Sequence, residues 1–127
     1  MGQLGSPADG GLPASGVVIC RPGDGERYER ENGSTAILAE LRDVSLIELV
    51  REDGWEGIPS HGHDDYLDAF FVLEGEVDFA GADRATAGTL MAAPRGVEHG
   101  IQPTSGDTRL LNIHAPDVGF ADWIRNQ

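Results

Sequence analysis

The sequence predicts an all-β protein, a sandwich or barrel of two antiparallel sheets with a short C-terminal helix. Three observations predict it. Apolar or alternating runs of four to eight residues recur at regular spacing, separated by turn residues. Glycine is abundant, with 18 residues, the balance of a turn-rich β protein rather than a helical bundle. A length of 127 residues suits one compact domain. A jelly roll is the natural architecture for such a set of strands, and its interior can hold a small ligand.

The elements follow in order. Residues 1 to 16 are rich in Gly, Pro, Ser and Ala without periodicity, which predicts a flexible tail; residues 17 to 127 form the single domain. Val17 to Cys20 reads as a short strand, and Arg21 to Gly33, charged and punctuated by glycine, as a loop. Ser34 to Leu41 and Val44 to Glu52 read as strands joined by a tight Arg42-Asp43 connection; helix competes over 34 to 41, where Ala, Leu and Glu favour it, but the β-branched residues and short length favour strand. Asp53 to Gly57 is a loop leading into a strand over His61-Gly62-His63. Asp64 to Leu67 is a turn or bulge, Ala69 to Leu73 a buried strand, and Glu74-Gly75 the turn into Glu76 to Phe79. In that last strand Val77 and Phe79 share one face, and Glu76 and Asp78 the other. Arg84 to Ala87 and Thr89 to Ala93 are short strands before a Pro94 turn. Val97 to Ile101 places Val97, His99 and Ile101 on one inward face. Thr108 to His114 is the last strand, broken by Pro116. Phe120, Trp123 and Ile124 then recur at helical spacing, predicting a helix over residues 120 to 125 that caps the barrel.

Composition excludes several functions. The formal charge of −13 leaves no basic footprint for nucleic acid and opposes an anionic membrane surface. There is no lysine, so neither a lysine Schiff base nor a lysine general base is available. The single cysteine, Cys20, rules out an internal disulfide and reads as a buried, inert thiol. No stretch approaches a membrane span of about 18 apolar residues, and the N-terminus lacks the pattern of a secretory signal. A cytoplasmic protein is the expectation.

The chemistry concentrates in residues 57 to 75 and around His99. His61 and His63 are one residue apart, so on a strand they project together, roughly 7 Å apart. Asp68 follows at the start of an apolar run, and His99 follows the Pro94-Arg95-Gly96 turn. Three imidazoles and one carboxylate suit zinc, iron, nickel or manganese. Asp64 and Asp65 read as turn residues, and Tyr66 as packing rather than a pocket residue, the alternative for it. His114 shares a face with Leu110 and Asn112, either as a proton shuttle lining the pocket or as a satisfied core histidine. Phe70, Val72, Phe79, Met91 and Ile101 would supply apolar walls; Arg95 and Glu98 read as surface residues.

These residues resemble the cupin signature. Its first half, H-x-H-x4-acid-x6-G, is filled by His61, His63, Asp68 and Gly75. Its second half, G-x5-P-x-G-x2-H, is filled by Gly88, Pro94, Gly96 and His99. With the flanking strands, the resemblance covers most of residues 34 to 124. The chain departs from the pattern in having Asp68 for the usual glutamate, Trp55 for a glycine and Pro103 for an asparagine. The resemblance implies a double-stranded β-helix barrel, a homodimer, and one divalent transition metal (Fe, Ni, Zn or Mn) on His61, His63, Asp68 and His99. It implies a metal-dependent enzyme acting on a small enolisable or aromatic molecule, nominally a dioxygenase. A non-redox cyclase, isomerase or lyase and a non-catalytic ligand-binding barrel are the alternatives. Asp68 and His114 are the candidates for moving protons.

Overall fold

The computed structural model describes residues 16–79, 81, 84–104 and 106–127. Apart from Gly16, the tail expected over 1 to 16 lies outside the described residues. Ten strands are followed by one helix: β1 Glu26–Arg30, β2 Gly33–Glu40, β3 Ser45–Arg51, β4 Ile58–His61, β5 Leu67–Glu74, β6 Glu76–Phe79, β7 Arg84–Thr86, β8 Leu90–Ala93, β9 His99–Pro103, β10 Thr108–Ala115 and α1 Phe120–Arg125. They form a six-stranded sheet in the order β1-β2-β3-β10-β5-β8 and a four-stranded sheet in the order β4-β9-β6-β7. Each strand pairing is antiparallel.

The alternation read from sequence sets the inward faces. Along β3 and β10 burial alternates residue by residue, with Ile47, Leu49 and Leu110 pointing in. Phe70, Val72, Met91, Val77 and Ile101 complete one core between the sheets. Trp55, standing where the motif has glycine, is buried in that same core, so its loop folds inward as an apolar plug. Gly75 turns β5 into β6 at φ 82°, and a Cβ there would lie 2.3 Å from the Asp107 carbonyl oxygen. Both the left-handed backbone and the close approach demand glycine.

Several expectations are corrected. The stretch 21 to 33 contains β1, paired along its length with β2. Its alternation of Glu26, Tyr28 and Arg30 against Arg27 and Glu29 is period two, but written in charged residues. Residues 17 to 20 form no strand; Val17 and Ile19 are exposed and Cys20 is half-buried rather than buried. The histidine strand ends at His61, β5 begins at Leu67, and β9 begins at His99. Val97 is therefore exposed in the turn before β9 and shares no inward face with His99.

Helix α1 is tied to the large sheet by Arg125, which donates to Glu26 on β1 and Glu40 on β2. These bonds hold the Glu26 carboxyl below its usual value, against the opposing effect of burial. Ala121 and Ile124 face the core, whereas Trp123, expected to cap the barrel, is exposed. No helix among the described residues is long and apolar enough to cross a membrane.

Candidate metal centre

Both sheets and one loop deliver the candidate ligands. His61 closes β4 and lies opposite His99, the first residue of β9. Between Ile58 and His61 the register slips: β4 advances three residues while β9 advances from Ile101 to His99. This bulge lets Ile58 and His61 both face inward despite their opposite parity. Gly100 sits opposite it, where a Cβ would come within 2.9 Å of the Ile58 carbonyl oxygen and the Ser60 nitrogen. His63 lies beyond the strand, in the bend before β5. Its carbonyl oxygen accepts from the Gly96 N–H at 2.7 Å, so the turn of one motif half holds the histidine of the other. Asp68 points inward from β5, directly paired with His114 on β10.

The four side chains converge. One ligand atom from each of His61, His63, Asp68 and His99 lies within 4.8 Å of the others. The Asp68 Oδ2 atom is 2.9 Å from His99 Nε2, 3.4 Å from His63 Nε2 and 3.9 Å from His61 Nε2. Leaving the strand brings the His61 and His63 rings to 4.5 Å, closer than the roughly 7 Å of a shared strand face. The other carboxylate oxygen is held from behind: Oδ1 accepts from Asn112 Nδ2 at 2.8 Å and lies 3.2 Å from His114 Nε2. Asn112 also donates to the Ala69 carbonyl oxygen. Each oxygen of Asp68 thus has a separate task, one fixed by β10 and one turned to the imidazoles.

The donor set fits a metal ion on two observations. His61 Nδ1 lies 2.8 Å from the Pro59 carbonyl oxygen and His99 Nδ1 lies 3.0 Å from that of Val97. A carbonyl only accepts, so both Nδ1 atoms carry the proton and both Nε2 lone pairs face the centre. A lone pair of His99 facing a carboxylate oxygen at 2.9 Å requires a cation between them, a proton or a metal. The second observation is that His63 Nε2 is buried with no hydrogen-bond partner. An orphaned acceptor aimed at a carboxylate is costly unless a cation joins them.

Electrostatics agree. Burial pushes the Asp68 carboxyl up, but the polar contacts with His114, His99 and Asn112 outweigh it and hold the group at about 2. It is an anion at any working pH. Burial and the neighbouring His61 charge push the His63 imidazole down, against the attraction of Asp68, which favours the neutral, ligating form. Metal retention is therefore expected to fall as pH drops from about 7 to about 5, where imidazoles take up protons. The unfolded chain takes up the His63 proton first, so stability falls in the same direction as pH passes down through the ordinary histidine range. Metal content after dialysis at stepped pH checks this. Full retention at about pH 4 would exclude imidazole ligation, since an imidazole that has taken up a proton has no lone pair for a metal.

Two residues of this site do more than the sequence predicts for them. Tyr66, expected as packing with a pocket role as the alternative, stacks on His63 at 4.2 Å between ring centroids and lies 4.6 Å from His114. Burial and the charges of Asp68 and Asp65 push its hydroxyl up to about 12, so it remains a neutral donor. Asn112 was seen only as a neighbour of His114. Its signal was a polar residue on a buried strand face, which must find a partner. His114 is buried behind the carboxylate, with Nδ1 unpartnered and its ring 4.6 Å from that of Phe120. Asp64, Asp65, Arg95 and Glu98 are exposed, as expected.

No protein-family model and no curated protein matches the chain. Solved structures do. The structure of KdgF from Halomonas sp. aligns with a TM-score of 0.65 at 20% identity, covering 75% of this chain and 91% of that one. An RmlC-like cupin from Shewanella frigidimarina aligns at 0.63 and 22% identity, covering 73% and 86%. The polyketide cyclase RemF from Streptomyces resistomycificus aligns at 0.64 and 18% identity, covering 80% of each chain. With the strand order in place, these likenesses show the fold: the chain folds as a small cupin-type domain.

Proposed function

We propose that this domain is a metal-dependent enzyme acting on a small enolisable or aromatic molecule. The observation that carries the reading is the graded exposure of the four candidate ligands. The His99 and Asp68 side chains are 3% and 4% exposed, His63 is 20% and His61 is 35% exposed. A centre held there is sealed on one side and open on the other, and catalytic sites keep such an open position where structural sites close it. Bound on His61, His63, His99 and Asp68, a divalent transition metal would supply Lewis acidity towards a carbonyl or enol, and with iron or nickel also redox chemistry.

The protein's own residues would do the rest. Asp68 stays ionised and is oriented by Asn112 and His114. His114 serves as a positioning residue, since the carboxylate stands between it and the imidazoles. Tyr66 keeps its proton and offers a donor beside His63. Dioxygenation is the first reading. Lewis-acid cyclisation or isomerisation is the second, favoured by the likeness to a polyketide cyclase.

The test is elemental mass spectrometry on protein purified without a histidine tag, followed by a screen of enols and aromatic ketones. Iron or nickel, with oxygen uptake that disappears in His61→Ala, supports the first reading. Zinc or manganese, with turnover that consumes no oxygen, supports the second. Absence of metal after reconstitution, or saturable binding without turnover, overturns the enzyme reading.

A further inference from the structure

A second cavity, of about 460 Å³, lies between α1, the inner faces of β1 to β3 and the Trp55 loop. It shares no residue with the histidine–aspartate cluster. Two arginines line it without a counter-charge. Arg51 donates only to the carbonyl oxygens of Ser34 and Val50 and to the Thr35 hydroxyl. Arg30 donates only to the carbonyl oxygens of Glu29 and Ile124. Among the described residues no carboxylate lies within 4.0 Å of either guanidinium. Acids are not scarce in a chain with 22 of them, and Arg27, Arg84, Arg109 and Arg125 each pair with a glutamate. Burial, and then the Arg30 charge, lower the Arg51 guanidinium from its usual value, so the two cations are uncompensated neighbours.

The rest of the lining narrows the ligand. The Trp55 indole N–H is buried with no acceptor, a third donor left unmatched. Phe120 and Trp123 stack almost parallel, at 10° and 5.4 Å between centroids, and Trp123 is 56% exposed. Phe120 backs the indole, whose outer face is a flat apolar surface open to a ligand. Glu31 and Glu56 also line the cavity, which disfavours a multiply charged anion such as a phosphate. The volume falls in the range of small-ligand sites, where apolar walls surround a few convergent polar groups.

We propose that this cavity binds a small planar aromatic monocarboxylate. Its carboxylate sits on Arg30 and Arg51, a pairing that guanidinium geometry favours, and its ring lies against the indole of Trp123. The site stands independently of any metal at the histidine cluster.

Metal-stripped protein titrated with benzoate and followed by tryptophan fluorescence tests it. Trp55 and Trp123 are the two tryptophans of the chain and both line the cavity, so the signal reports from there. Benzoate is expected to saturate the signal, with benzamide weaker by at least about tenfold for loss of the charge-assisted bonds. Arg30→Gln should weaken benzoate by about tenfold with an unchanged circular dichroism spectrum. It is the deciding variant, because Arg51 also holds β2. His61→Ala should bind benzoate as the wild type does. No saturation, equal response to benzamide, wild-type binding by Arg30→Gln, or loss in His61→Ala each overturns the proposal; the last would place the ligand at the histidines.

Discussion

Asp68→Ala is expected to lose metal binding and about 3 to 5 kcal/mol of stability together. The carboxylate is the hub of a buried network, 3% exposed, with imidazoles facing one oxygen and Asn112 and His114 held on the other. Removing it leaves one of the two Asn112 amide hydrogens and His114 Nε2 buried without that partner, the other amide hydrogen keeping the Ala69 carbonyl, and leaves the imidazoles without their counter-charge. Both losses act in the metal-free protein, so urea denaturation of stripped protein measures them apart from metal. Asp68→Asn keeps the shape and removes only the charge; it should lose metal with a smaller loss of stability. Wild-type stability in stripped Asp68→Ala would show that the network contributes nothing to the fold.

Phe70→Ala is expected to cost about 3 to 5 kcal/mol, the range for deleting a buried aromatic side chain. Phe70 is 2% exposed and sits at the middle of β5, with Phe79 of the facing sheet at 6.1 Å between ring centroids. Phe79 in turn lies 6.2 Å from the His99 ring. The cavity left by alanine therefore opens beside the wall that supports a candidate ligand, and metal affinity should fall with stability. Phe70→Leu, which refills most of the space, should lose less of both. Thermal denaturation and metal titration of the two variants check the order. Equal stability of Phe70→Ala and wild type would mean the two sheets do not meet at this residue.

How far the sequence could be read depended on whether a residue's task was local. The motif glycines and prolines mark turns through their own backbone geometry, and Gly75 and Pro94 stand where they were expected. Apolar alternation located β3, β6 and β10 to within a residue or two. Strand β1 was missed because its alternation is carried by arginine and glutamate, whose burial comes from pairing with β2 rather than from hydrophobicity. The four candidate ligands were named from spacing, but their geometry was not. The β4 bulge, which brings His61 round to His99, depends on Gly100 and on a partner strand far along the chain. Asn112 and Tyr66 carry no spacing signature, and only the folded sheet shows what they touch.

The candidate ligands come from different layers: His61 and His99 from the small sheet, Asp68 from the large one. An ion held there would rivet the two layers together, in a chain whose one cysteine cannot form a disulfide of its own. Anything that binds only the folded form stabilises it in proportion to the logarithm of its free concentration. The durability of this barrel would then be a property of its surroundings as much as of its sequence. In a metal-starved cell the same polypeptide would be looser, opening at the seam between its sheets, and would become a better substrate for proteolysis before it lost any other feature of its fold.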